Sequence, residues 1–183
     1  MRIEKTAFRD LLIIHPRVFP DQRGYFFESF NENSFADATG LNLRFVQDNE
    51  SRSSRGVLRG LHYQISPYAQ SKLVRVVQGE VLDVVLDIRP DSPTYGEHFS
   101  IKLSGENKIQ LFVPKGFAHG YAVLSEFAVF SYKCDTFYNK DHEAGIMYND
   151  PSLDIDWMIP EKEQLISEKD AKQYAFADHV RFS

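Results

Sequence analysis

Between residues 57 and 134 the chain consists of short runs whose side chains alternate, broken by turns that contain glycine. Alternation with a period of two is what a strand with one face on a core requires; a helix repeats its apolar positions every three or four residues instead. At 99–103, Phe99, Ile101 and Leu103 alternate with Ser100 and Lys102, and at 109–113, Ile109, Leu111 and Val113 alternate with Gln110 and Phe112. Ser104-Gly105-Glu106-Asn107 between them reads as a turn, so the two runs are expected to pair as a hairpin. Residues 72–77 and 81–89 are expected to pair in the same way around Gln78-Gly79-Glu80. The second of these is rich in Val, Leu and Ile on both faces, as a strand inside a sandwich would be. Pro114-Lys115-Gly116 closes the next strand, and 119–124 and 127–134 follow. Helix signals are few. Asn31 can cap a short helix ending near Gly40, and 160–172 begins with Pro160 and reads as a short C-terminal helix or two turns. Many short strands with little helix predict an antiparallel sandwich or barrel.

Length and composition bound what such a sandwich can do. The 183 residues fit one domain spanning 1–183, and 43% hydrophobic with 26% charged residues excludes disordered and fibrous classes. The net charge of −5 argues against a general nucleic-acid binder, which needs a basic footprint, but leaves room for a small anionic ligand held by a few arginines. The single cysteine, Cys134, cannot form an internal disulfide. Met1-Arg2-Ile3-Glu4-Lys5 has no apolar leader pattern, and no apolar run approaches the ~18 residues of a membrane span, so a soluble cytoplasmic protein without a membrane partner is expected. Aromatic residues make up 14% of the chain. Strands favour them, and so do stacking pockets, and the number alone does not choose.

The informative polar residues are those that strand alternation aims inward. In Gly56-Val57-Leu58-Arg59-Gly60-Leu61-His62-Tyr63-Gln64, alternation puts Gly60, His62 and Gln64 on one face and Arg59, Leu61 and Tyr63 on the other. His62 is then either a satisfied histidine of the fold or a proton-transfer group. Tyr132 shares a face with Ala128, Phe130 and Cys134, as a core tyrosine or a buried acid. Lys72 is aligned with Val74 and Val76, and either snorkels to an edge or serves a site. Phe19, Arg23, Gly24, Tyr25, Phe26, Phe27, Glu28 and Phe30 mix rings with charges, which suits either an edge strand with a turn at 21–24 or a surface that stacks on a base and touches phosphate.

Pro114-Lys115-Gly116-Phe117-Ala118-His119-Gly120 resembles the second motif of the cupin superfamily, in which the histidine is often a metal ligand. A metal cupin also has an H-x-H cluster before the preceding turn, whereas here the stretch reads Leu61-His62-Tyr63-Gln64. Three or four ligands are needed for stable binding, so the jelly-roll inference stands and no metal is expected.

The order of motifs along nearly the whole chain resembles the dTDP-4-dehydrorhamnose 3,5-epimerase family. The resemblance rests on Asp21-x-Arg23-Gly24-x-Phe26-x-Glu28, Phe45-Val46-Gln47-Asp48-Asn49, Gly56 to Gln64, Lys72-Leu73-Val74-Arg75-Val76 and Val113 to Gly120. It continues through Tyr132-Lys133-x-Asp135-x-x-Tyr138, Glu143-x-Gly145-Ile146, Asn149-Asp150-Pro151 and Leu165 to Asp170. It implies a mainly β, cupin-type antiparallel jelly roll with a few short helices. The core would lie at about 45–135, with N-terminal strands that contact nucleotide and partner subunit, and a C-terminal helical segment. It implies a homodimer that uses neither metal nor other cofactor.

The implied reaction inverts C-3 and C-5 of dTDP-4-dehydro-6-deoxy-D-glucose. The 4-keto group acidifies both hydrogens, and inversion needs a base on one side of the sugar and an acid on the other. By the resemblance His62 is the base, Asp170 its orienting partner, Tyr132 the proton donor and Lys72 the cation that stabilises the enolate oxygen. Arg23, Arg59 and His119 match positions that contact diphosphate or sugar. Gln47 and Asn49 match nucleotide contacts, and Tyr138 matches the residue that stacks on thymine, with Phe26 as companion. Glu28, Glu143 and Lys169 also fall on binding positions, and the Arg23–Glu28 strand is expected to reach the partner's site. The rival readings are an epimerase of a related sugar acting at one centre, a nucleotide-sugar-binding cupin without catalysis, and a metal-dependent cupin, the last disfavoured by the missing H-x-H.

Overall fold

The computed structural model describes residues 1–182. The chain opens with strands β1 (Arg2–Lys5) and β2 (Leu12–His15), then β3 (Val18–Asp21) and β4 (Gly24–Phe27), which pair only with each other. Helix α1 (Glu32–Thr39) follows. Asn31 Oδ1 accepts from the Ser34 amide at 3.0 Å and Gly40 ends the helix at φ 73°, the capping residues that the sequence singles out. Strands β5 (Gln47–Ser54), β6 (Val57–Gln64), β7 (Lys72–Gln78), β8 (Glu80–Asp87), β9 (His98–Ser104), β10 (Gln110–Val113), β11 (Phe117–Val123) and β12 (Phe127–Cys134) come next. Short strands β13 (Glu143–Gly145) and β14 (Leu165–Ile166) complete the set.

Two sheets form the sandwich. One runs β1-β2-β10-β7-β12-β5; the other runs β13-β6-β11-β8-β9, with β14 added in parallel to β6. Val74, Val76, Leu111 and Phe130 of the first sheet meet Val81, Val85, Leu103 and Val123 of the second in the central core. The outer face of the second sheet is also covered: Leu58, Leu61, Leu82, Val84 and Leu86 pack under Ile146, Leu153, Trp157 and Ile159. That double burial is why β8 is apolar on both faces. Each fully buried Leu, Val or Phe contributes roughly 2 kcal/mol. On the first sheet, Phe35 of α1 packs on Leu12, Ile14, Leu73 and Phe112.

Neither expected hairpin forms. β9 pairs with β8, while β10 pairs with β2 and β7 in the opposite sheet. Likewise β7 lies beside β10 and β12, while β8 lies beside β9 and β11. In a jelly roll the chain crosses between sheets at such corners, and a corner uses the same glycine-bearing turn as a hairpin. At Gly79 (φ 80°) a Cβ would stand 2.1 Å from the Phe127 carbonyl oxygen, because the crossing chain presses against β12. At the other corner Asn107 Oδ1 accepts from the Ser104 amide at 3.0 Å, and Lys108 (φ 55°) redirects the chain.

The sheets reach beyond 45–135, since β1, β2, β13 and β14 belong to them. The region 160–172 forms no α-helix. It holds two 3-10 turns, Glu161–Glu163 and Asp170–Lys172, because β14 between them is drawn into the edge of β6, where the Leu165 amide bonds the Gly56 carbonyl at 2.8 Å. The tail then returns along the second sheet, and the Phe176 amide donates to Asp150 Oδ2 at 2.6 Å. Among the described residues no helix is long and apolar enough to cross a membrane.

Candidate active site

A cleft of about 520 Å³ opens between the sheets, lined by Arg59, His62, Lys72, His119, Tyr132 and Asp170 among others. Simple alternation would put Arg59 and His62 on opposite faces of β6, yet both face the cleft. The ladder with β11 explains this: His119 pairs with His62, but Tyr121 pairs with Arg59, so β6 carries one extra residue, a β-bulge at Gly60-Leu61. The bulge shifts the phase of the strand, and Leu58, Leu61 and Tyr63 all turn to the outer core. Gly60 (φ 121°) is required there, because a Cβ would lie 2.6 Å from the Cα of Gly120.

His62 and Asp170, far apart in the chain, meet with Nε2 2.5 Å from Oδ1. Burial alone would raise the Asp170 pKa. The hydrogen bond and charge of His62, the Ser167 hydroxyl and the Gly60 amide outweigh it and hold the carboxyl below its ordinary range. An ionised carboxylate only accepts, so Nε2 carries the hydrogen and Nδ1 is left as the basic nitrogen.

Tyr132 stands on the opposite wall, on β12 of the other sheet. Burial, chiefly, pushes its hydroxyl up to about 12, which keeps the phenol protonated and able to donate at neutral pH. Lys72 begins β7, the neighbouring strand of the same sheet, two residues from Val74, the register partner of Tyr132. Burial lowers the Lys72 pKa, against the opposing influence of Cys134, Asp83 and Glu143. Across the cleft His119 donates from Nε2 to both oxygens of Asp83, at 2.9 and 3.1 Å. Arg59 directs Nε and Nη2 to the Ser53 hydroxyl, each at 3.2 Å.

A smaller recess of about 240 Å³ continues from the cleft and shares His62, Lys72 and Tyr132 with it. Gln47, Asn49, Gln64, Tyr138 and Glu143 line this part. Tyr138 donates from its hydroxyl to Glu143 Oε2 at 2.8 Å, and Lys169 Nζ lies 2.5 Å from Glu143 Oε1. Burial opposes the Glu143 charge, but these two partners hold its pKa below the ordinary value. Gln47 Nε2 donates to Asn49 Oδ1 at 3.0 Å.

Three of the singled-out residues are elsewhere. Arg23, Phe26 and Glu28 sit on or beside the β3–β4 ribbon and line neither part of the cleft. The Arg23 side chain is 90% exposed and, among the described residues, bonded only to Asp21, and Phe26 is 70% exposed. Asp83, Ser53 and Ser167, which hold His119, Arg59 and Asp170, went unnoticed in the sequence. Asp83 had a signal, because a carboxylate in the middle of an apolar strand buried on both faces needs a partner. Among the described residues no group of three His, Cys, Asp or Glu side chains could hold a metal ion.

An imidazole backed by a carboxylate on one wall, a protonated phenol on the other and a lysine beside it can remove a proton from one side of a bound molecule and return one to the other. Known proteins resemble the chain over nearly its whole length. The family model described as dTDP-4-dehydrorhamnose 3,5-epimerase matches residues 5–178. A dTDP-4-dehydrorhamnose 3,5-epimerase of Shigella flexneri is 53% identical over 97% of each chain. The crystal structure of the enzyme of that name from Elizabethkingia anophelis is 55% identical, with a TM-score of 0.93 over 97% of both chains. That of a dTDP-6-deoxy-D-glucose-3,5-epimerase from Legionella pneumophila, in complex with dTDP-4-keto-L-rhamnose, is 47% identical, with a TM-score of 0.94 over 100% of this chain and 98% of the other.

Proposed function

This chain belongs to the dTDP-4-dehydrorhamnose 3,5-epimerase family and is an isomerase of dTDP-L-rhamnose biosynthesis, and we propose how its residues divide the work. The reaction converts dTDP-4-dehydro-6-deoxy-D-glucose into dTDP-4-dehydro-L-rhamnose by inverting C-3 and C-5. Each centre lies next to the 4-keto group, so removing its proton gives an enolate whose charge rests on the ketone oxygen.

His62 Nδ1 takes the proton. Asp170 fixes the ring and stabilises the imidazolium that forms. Lys72 faces the developing oxyanion, where a positive charge contributes most in a water-poor cleft. Tyr132 delivers a proton from the other side. The observation that carries this reading is the placement of the His62–Asp170 pair and of Tyr132 on facing sheets of one cleft. Arg59 and His119 bind the diphosphate or sugar, Gln47, Asn49, Glu143 and Lys169 the nucleotide end, and Tyr138 stacks on thymine.

Arg23, Phe26 and Glu28 serve the site of a second copy in a cytoplasmic homodimer. The support is their exposure: an arginine and a phenylalanine held out on a two-stranded ribbon line neither part of the cleft among the described residues. The test is incubation of the protein with the 4-keto sugar nucleotide in deuterium oxide. Deuterium at both C-3 and C-5 is expected. Label at one carbon alone would indicate an epimerase acting at a single centre, and no label would overturn the reading.

A further inference from the structure

Gln64 lies on β6, two residues beyond His62, with 5% of its surface exposed. Both ends of its amide are spent on one distant residue. Nε2 donates to the Asn139 carbonyl at 2.9 Å, and the Asn139 amide donates to Oε1 at 2.9 Å. This is the paired exchange that a neighbouring strand makes in an antiparallel ladder. It occurs where the chain has left β12 and has no ladder of its own. The residue before Asn139 is Tyr138, whose amide donates to Gln47 Oε1 at 3.0 Å and whose hydroxyl donates to Glu143 Oε2. Gln70 Nε2 secures the same segment further back, on the Thr136 carbonyl at 2.7 Å.

We propose that Gln64 is a positioning residue for nucleotide recognition: it clamps the backbone at Asn139 so that the Tyr138 ring is held at a fixed reach from His62 on the same strand. The inference rests on Tyr138 being the base-stacking residue. Its physical content is that an ordered platform avoids the cost of ordering a loop on binding. Removal of the clamp leaves two backbone groups of Asn139 without their partner.

The test measures affinity for dTDP by calorimetry, together with kcat and KM, in Gln64→Ala and in Gln64→Met. The methionine variant keeps the volume and loses both hydrogen bonds, so it carries the test if the alanine variant folds poorly. Two buried hydrogen bonds predict dTDP binding on the order of tenfold weaker, with KM raised in parallel and kcat within about threefold of wild type. Tyr138→Ala should weaken dTDP binding as well, and the double variant Gln64→Met/Tyr138→Ala should be no weaker than Tyr138→Ala alone, since the clamp acts through the ring. Wild-type affinity in Gln64→Met, a tenfold fall in kcat at unchanged affinity, or multiplying losses in the double variant would each overturn the proposal. Unchanged affinity in Tyr138→Ala would take down the stacking reading itself, and the clamp with it.

Discussion

The cleft and the β3–β4 ribbon carry residues of the same chemical kinds, arginines, carboxylates and rings, in opposite settings. In the cleft four of them are held by a second side chain: His62 by Asp170, His119 by Asp83, Arg59 by Ser53 and Tyr138 by Glu143. On the ribbon, Arg23 reaches only Asp21, two residues away, and Phe26 stands in the open. Groups that move protons need their geometry fixed before the substrate arrives, and rigid sheets supply that. Groups that only grip a ligand can be completed by a second copy of the chain. The comparison separates two kinds of variant: the proton-transfer residues of the cleft should act on kcat, and ribbon residues on KM.

The largest effect is expected for His62→Asn, a fall in kcat of about 10⁴-fold with dTDP affinity kept, since a positioned general base contributes up to that factor. Asp170→Asn leaves the imidazole in place but frees its tautomer, and a loss of about 10²-fold in kcat is expected, read from steady-state rates across pH. If Asp170→Asn proved as active as wild type, the orienting role would fall. Arg23→Ala should raise KM about tenfold, the scale of one hydrogen bond to a charged group, and leave kcat near wild type. A fall in kcat without a change in KM would break the division between the two regions.

The smallest effect concerns stability. Burial opposes the charged forms of Asp87, Asp150 and Asp170, yet their hydrogen bonds hold all three below the ordinary value of 3.8. Carboxylates with depressed folded-state pKa values stabilise fully above their unfolded values, and that contribution is lost as the pH falls through the folded ones. Denaturant midpoints should therefore be level near neutral pH and decline below about pH 4. Asp21 is lowered mainly by its bond to Arg23 but is fully exposed, so Asp21→Asn should leave the decline unchanged, whereas Asp170→Asn should make it shallower.

Elements were far more legible in the sequence than their partners. The helix over residues 32–39 is written in its own caps, Asn31 and Gly40, and most strands in their alternation. The corners at Gly79 and Gly105 were not legible, because a turn that crosses between sheets and a turn that closes a hairpin use the same residues. The difference depends on which distant strand is waiting, and alternation does not encode that. Alternation gives the wrong face for Arg59 for a related reason: a single extra residue at Gly60-Leu61 reverses the phase, and the ladder with β11 reveals it. Lys72 and Tyr132 could be suspected from polar residues on apolar faces, and His62 from a strand face that it shares with Gly60 and Gln64. Asp170 came only from the family resemblance, since 108 positions separate it from His62 and no spacing rule joins them.

The claim at the centre is that base and acid stand on opposite walls. Tyr132→Phe in deuterium oxide tests it most directly, because it removes the acid while keeping the base. His62 should still remove the C-3 and C-5 protons and return solvent deuterium from its own side, so recovered 4-keto sugar should carry label with its configuration unchanged. Inverted, labelled product formed at the wild-type rate would contradict the account.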